Sequence, residues 1–170
     1  MRIRWLLVVL TLAGCAAEAP GDPGDTPRGS GQVVENLSVT DTDHPALRNL
    51  DPELLAAVQA AARHALEEDG IELKVTSGWR SKEYQQELLD QAVSKYGSLE
   101  EAREFVNTPD KSTHVTGDAI DIGPTDAADW LIRHGADHGL CQTYANEMWH
   151  FELMTEPGGE CPVPLSNAAG

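Results

Sequence analysis

The chain has 170 residues, enough for one domain with a core of its own. It holds 12 basic and 28 acidic residues, a formal net charge of -16, so its surface repels nucleic acid and anionic headgroups, and nucleic acid is excluded as a partner. The three cysteines show no C-x-x-C spacing, which argues against a thiolate zinc site.

At the start of the chain, Arg2 and Arg4 precede the apolar run Trp5 to Leu12. The run is too short to span a bilayer and reads as a secretory signal. Its ending, Leu12-Ala13-Gly14-Cys15, resembles the lipobox of bacterial lipoproteins. That resemblance implies removal of residues 1–14 and lipidation of Cys15. It also implies a place in the cell envelope, anchored to the outer face of the bacterial cytoplasmic membrane. Cys141 and Cys161 then remain as one candidate disulfide. Such a bridge closes a loop of about 20 residues and contributes about 3 kcal/mol. Residues 15–43 are rich in Ala, Gly, Pro and Asp and are expected to form a flexible tether, with the folded domain at 44–170.

Asp51 and Pro52 open a helix as N-cap and first helical residue. Leu54, Leu55, Val58, Ala61, Ala62 and Leu66 follow at helical spacing, and Gly70 stops it. Ile71 to Ser77 alternates as a strand, and Ser77-Gly78-Trp79-Arg80 turns out of it. Ser81 caps a second helix ending at Tyr96-Gly97, and Ser98-Leu99-Glu100-Glu101 is a capping box for a short third one. Asn107 to Asp110 is loop. Ala119–Gly123 reads as a strand, Asp126 to His134 as a helix, and 140–144 and 148–154 as two further strands. Strands and helices mix without regular alternation. The expected class is α+β: a small, mainly antiparallel sheet with helices packed on it, and a metal site in a cleft on the sheet.

The chemistry concentrates in Ser112 to Asp121 and in Asn146 to His150. His114, Asp121 and His150 supply two imidazoles and a carboxylate. Three such ligands hold one zinc ion per chain and leave a position open, and Glu147 stands beside them as a general base. Within the strand, Ile120 and Ile122 share the core face, so Asp121 points into a cleft. His114 precedes the strand, with Gly117 permitting the bend. Glu147 belongs to the loop end and His150 to the strand. His134 and His138 are four apart, but Gly135 stands where H-E-x-x-H needs its glutamate, so they are set aside as ligands. His44 and His64 read as surface residues. Arg80, at a strand-to-helix turn, offers a fixed charge for a substrate carboxylate or an oxyanion.

Together these segments resemble the VanY-like zinc D-Ala-D-Ala carboxypeptidases, within the LAS-type peptidoglycan metallopeptidases. The family's Ser-x-His-x-x-Gly-x-Ala-x-Asp matches Ser112, His114, Gly117, Ala119 and Asp121. Glu-x-Trp-His matches Glu147, Trp149 and His150, and Ser-Gly-aromatic-Arg-Ser matches residues 77–81. The resemblance implies that His114, Asp121 and His150 bind Zn2+ and that Glu147 is the catalytic base. It also implies that Arg80 stabilises substrate or transition-state charge, that Ser112 and Gln85 contact substrate, and that Trp149 packs beneath the site. The implied activity is removal of the terminal D-Ala from peptidoglycan stem peptides; a monomer is expected. A peptidoglycan endopeptidase, a D,D-dipeptidase and a non-catalytic peptidoglycan-binding lipoprotein are the alternatives. The Cys141–Cys161 pair and the tail past Pro157 are not part of that family's pattern.

Overall fold

The computed structural model describes residues 29–170. The expected signal segment, the lipidation site Cys15 and tether residues 15–28 lie outside the described residues. The elements run β1 (Leu37–Ser38), α1 (Pro45–Arg48), α2 (Pro52–Asp69), β2 (Lys74–Ser77), α3 (Lys82–Tyr96) and α4 (Leu99–Ala102). They continue with α5 (Thr113–Thr116), β3 (Ala119–Gly123), α6 (Thr125–His134), β4 (Leu140–Gln142) and β5 (His150–Leu153). A 3-10 turn, Gly135–His138, joins α6 to β4.

Local chemistry accounts for the helix ends. The Asp51 carboxylate accepts from the backbone N–H of Glu53 and Leu54, and Gly70 closes α2 in the left-handed conformation. The Ser81 hydroxyl accepts from Tyr84, and Gly97 closes α3 in the same way. Ser98 caps α4 as its box predicts, yet that helix is a single turn.

All five strands form one antiparallel sheet in the order β1-β2-β3-β5-β4. Ile120 and Ile122 of β3 face the main core with Val75, Phe151, Leu54, Val58, Trp130 and Leu131. A smaller cluster, Leu89, Ala92 and Ala102, joins α3 to α4. Cys141 and Cys161 are bridged.

The structure departs from the sequence expectations at several points. The folded part starts before residue 44: Leu37–Ser38 pairs with β2, and Val39 is in the core. Expected tether residues 37–38 are therefore the sheet edge, held by pairing that their own composition does not encode, and Val39 after them joins the core. The strands are shorter than expected, because Ile71 and Leu73 flank β2, and residues 143–149 form the loop between β4 and β5. Leu66, expected in the apolar stripe of α2, is 55% exposed. His44 and His64 are half-buried rather than free at the surface. His44 Nδ1 accepts from Ala46 N–H and caps α1. His64 packs edge-on against Trp130 and lies 3.1 Å from His138, tying α2 to the 3-10 turn.

Gly117 joins α5 to β3 at φ 88°, and its carbonyl accepts from Asp51 N–H at 2.9 Å. A Cβ placed there would lie 2.5 Å from the Asn49 carbonyl oxygen. Gly117→Ala therefore meets both a left-handed backbone penalty and a backbone clash. It should lower the unfolding free energy by at least about 2 kcal/mol, read as a shifted urea midpoint at unchanged slope.

Candidate metal centre

The site is assembled on the two central strands. Asp121 of β3 stands directly opposite Ser77 of β2 and His150 of β5. Direct cross-strand partners project their side chains from the same face, so Asp121 and His150 meet without any loop. A register irregularity between Val75 and Ser77 in β2 brings the Ser77–Arg80 turn over that face. His114 comes from the single turn α5. Its Nδ1 lies 2.8 Å from the Gly78 carbonyl, which can only accept, so Nδ1 carries the proton and Nε2 faces the site as a lone pair. The Arg80 N–H donates to the His114 carbonyl at 3.0 Å and fixes the turn.

Three ligand atoms form a nearly equilateral triangle. His114 Nε2 is 3.2 Å from His150 Nδ1 and 3.3 Å from Asp121 Oδ1, and His150 Nδ1 is 3.2 Å from the same oxygen. A tetrahedron with metal–ligand bonds of about 2.0–2.1 Å has edges of about 3.3 Å, so the triangle fits one face around zinc. All three residues are buried, and they are the one such group among the described residues. Glu147, in the β4–β5 loop, sits at its side with Oε2 3.9 Å from His150 Nδ1. Its Oε1 is buried without a hydrogen-bond partner. An unpartnered buried carboxylate oxygen beside the three-residue face is free to accept from a bound ligand.

Burial and neighbours set the charges differently on each group. Burial, helped by the Arg80 charge, lowers the His114 pKa to about 4, so it is neutral and ready to ligate. Burial opposes ionisation of Asp121, but the hydrogen bond donated by His150 and the charge of Arg80 outweigh it and hold the carboxylate well below its usual range. Burial also opposes charge on His150, yet the hydrogen bonds its ring donates to the Asp121 and Glu152 carboxylates prevail and raise it to about 9. Burial dominates at Glu147 and raises it to about 7.

Each expected site residue is in or against this cleft of about 200 Å3. Arg80 donates through Nε to Ser77 Oγ at 2.8 Å, through one terminal nitrogen to Gln85 Oε1 at 3.2 Å, and through the other to Asp121 Oδ2 at 3.0 Å. Two of its five N–H groups remain for a ligand. Ser112 makes no capping bond with its hydroxyl and lines the cleft. Gln85 departs from its expected part as a substrate contact. It is 1% exposed, and its amide accepts from Arg80 and donates to the Asn107 carbonyl at 2.8 Å, so it supports Arg80 instead. Trp149 is 44% exposed at the rim and does not pack beneath the site. His134 and His138 are not among the cleft residues.

Glu152 was missed from sequence. Its Oε1 is 3.0 Å from His150 Nε2 and accepts from Thr113 Oγ1 at 2.9 Å. It lies two residues from His150 on one strand, so the period of two already placed it on the same face. Its carboxylate orients the ring so that Nδ1 points at the triangle.

Two outcomes follow from this geometry. A His150 pKa of about 9 means that the metal-free protein holds a proton on Nδ1 at pH 7.5. Zinc binding should release about one proton there, and the apparent affinity should rise about tenfold per pH unit from 7 toward 9 before levelling. Calorimetry in buffers of different ionisation enthalpy reads this directly. Glu152→Ala should weaken zinc about 10–100-fold in chelator competition without unfolding the chain.

The fold has known counterparts. Residues 47–157 match the VanY family, described as D-alanyl-D-alanine carboxypeptidase. A D-alanyl-D-alanine carboxypeptidase of Enterococcus faecalis (strain ATCC 700802 / V583) is 29% identical over 111 residues, covering 51% of this chain and 41% of that relative. The chain thus spans about two fifths of the length of the curated relative it matches. Among solved structures, a mutant of the vancomycin resistance D,D-pentapeptidase VanY in complex with Zn(II) superposes with TM-score 0.58 at 24% identity, over 71% of this chain and 79% of that one. The LdcB LD-carboxypeptidase gives TM-score 0.57 at 24% identity, over 77% and 70%. The vancomycin resistance D,D-dipeptidase VanXYg, in complex with a D-Ala-D-Ala phosphinate analogue, gives TM-score 0.54 at 25% identity, over 69% and 54%. The two solved structures at 24% identity establish the shared α+β architecture, and the family match covers every residue from His114 to His150. The chain belongs to the VanY family of D-alanyl-D-alanine carboxypeptidases.

Proposed function

We propose that the chain is a zinc-dependent D,D-carboxypeptidase that removes the terminal D-Ala from peptidoglycan stem peptides at the cell surface. The observation that carries this reading is the 3.2–3.3 Å triangle of His114, Asp121 and His150 beside the unpartnered buried oxygen of Glu147. Export and anchoring through a lipidated Cys15 rest on the Leu-Ala-Gly-Cys ending of the first segment.

Zinc, when bound, supplies Lewis acidity and lowers the pKa of a coordinated water. Glu147 Oε1 takes the proton from the attacking water and returns it to the leaving amine. In the metal-free chain burial raises its pKa to about 7, so the group is not locked in one protonation state near neutral pH. Arg80 is held by Ser77, Gln85 and Asp121, so its remaining N–H groups are fixed before substrate arrives. They meet the negative charge that develops on the scissile carbonyl or resides on the terminal carboxylate. The Ser112 hydroxyl adds one adaptable hydrogen bond at the cleft wall.

A stem pentapeptide incubated with the zinc-loaded chain and followed by mass spectrometry tests the reading. Loss of one D-Ala is expected, and Glu147→Gln should lower kcat by about 10^2–10^4 while its zinc content stays the same. Cleavage at another bond would transfer the substrate to a dipeptidase, L,D-carboxypeptidase or endopeptidase reading. Zinc bound with no cleavage of any stem peptide would make the chain a binding protein.

A further inference from the structure

The segment after Cys161 is bonded to two loops that line the cleft and places one residue, Ala168, in its wall. Leu165 N–H donates to the Thr143 carbonyl at 2.9 Å, and its carbonyl accepts from Ala145 N–H at 2.8 Å. These bonds form a parallel bridge to Tyr144, three residues before Glu147. Further on, Ala168 N–H donates to the Glu104 carbonyl at 3.3 Å, and its carbonyl accepts from Asn107 Nδ2 at 2.8 Å. Asn146 Nδ2 donates to the same Glu104 carbonyl at 2.9 Å. One strap thus joins two loops that line the cleft: 104–107, and the loop carrying Glu147.

The strap does not serve the core. Val163 is 90% exposed and Leu165 is 51% exposed, so its larger apolar side chains are left outside. Ala168 is the exception: it is 8% exposed and lines the cleft together with Arg80, Glu147 and Phe105. Its seat is connected to the site. Asn107, which holds the Ala168 carbonyl through its side chain, accepts through its own carbonyl from Gln85, and Gln85 accepts from Arg80. The Cys141–Cys161 bridge fixes the root of the strap against β4. With this wall in place the cleft measures about 200 Å3. That is below the roughly 300–1,000 Å3 of sites for drug-sized ligands and suits one or two small residues.

We propose that residues 162–169 form a specificity wall in which Ala168 limits the cleft to peptides ending in small residues. The inference rests on the carboxypeptidase reading for its substrate class, but the wall itself is a matter of contacts. A larger side chain at Ala168 would protrude into the space a terminal residue needs. Loss of the strap would widen that space and loosen the two loops it joins.

The test uses the full zinc-loaded chain, Ala168→Leu, and a chain ending at Cys161. Two stem pentapeptides differing only in a terminal D-Ala or D-Leu are the substrates. Even one extra methylene discriminates by about 10–200-fold in an apolar pocket. The full chain should prefer D-Ala by that order, and the shortened chain should lose at least tenfold of the preference in kcat/KM. Ala168→Leu should raise KM for the D-Ala peptide at least tenfold with kcat within about threefold, which a general loss of structure would not do. An unchanged D-Ala to D-Leu ratio in the shortened chain with an unchanged KM in Ala168→Leu overturns the proposal. Should the full chain cleave neither peptide, the carboxypeptidase reading fails, and amide exchange in 104–107 and 143–147 decides the wall. Faster exchange in the shortened chain supports it, and unchanged exchange overturns it. If the shortened chain does not fold, the KM of Ala168→Leu decides alone.

Discussion

The register of β3 against β5 is the constraint on which the site depends. Asp121 faces His150 across the two central strands, and Ile120 faces Phe151 one step away on the other face. A slip of one residue would turn Asp121 into the core and Ile120 into the cleft. The packing of Ile120, Ile122 and Phe151 therefore holds the ligands in place. Every other site group is added to this pair from a short segment: His114 from one helical turn, Arg80 from the turn after β2, Glu147 from the β4–β5 loop. Each of those segments is pinned by backbone hydrogen bonds to an element that packs on the sheet, as Arg80 N–H is to the His114 carbonyl.

The two buried carboxylates are driven apart by their surroundings. Asp121 lies among His114, His150 and Arg80, and it remains ionised despite its burial. Glu147 has one distant imidazole and an oxygen with no partner, so burial wins and its pKa rises to about 7. One group is fixed as a charge and the other is poised to exchange protons, the division that a ligand and a base require. Moving Arg80 would disturb both, because its guanidinium supports the charge on Asp121 and opposes the rise at Glu147.

The legible parts of this fold are those whose signals are local. Asp51, Pro52 and Gly70 mark the ends of α2, and Ser81 and Gly97 mark those of α3, because caps act within a few residues. The alternation in 119–123 places Asp121 opposite Ile120 and Ile122 without any tertiary knowledge. What escapes is what distant partners impose. β1 is two residues long and exists through its pairing with β2. α5 reads Thr-His-Val-Thr, three β-branched residues around one histidine, which has no helical preference of its own. Gln85 reads as a polar residue of an amphipathic helix, and only the fold reveals that Arg80 and Asn107 satisfy its buried amide. Glu152 was legible in principle from its spacing to His150, but a carboxylate on a strand has many ordinary explanations.

The charge of the whole and the charge of the site pull in opposite directions. A chain at -16 repels any anionic peptide that approaches it. Within the cleft, Arg80 is the one arginine or lysine among the described lining residues. Its charge is already shared with Asp121 at 3.0 Å. With His150 protonated, the triangle and Arg80 carry about one net positive charge, which the adjoining Glu152 carboxylate offsets until a divalent ion is added. Affinity for a free terminal carboxylate should then depend on the ion as much as on the protein, and the surrounding field should work against it. Because that field is long-range, salt screens it over about 8–10 Å, whereas the buried contacts at Arg80 are screened far less. Under the proposed reading, raising the ionic strength removes the repulsion before it weakens the local capture. That is the reverse of what a protein recruiting its substrate by charge steering would show.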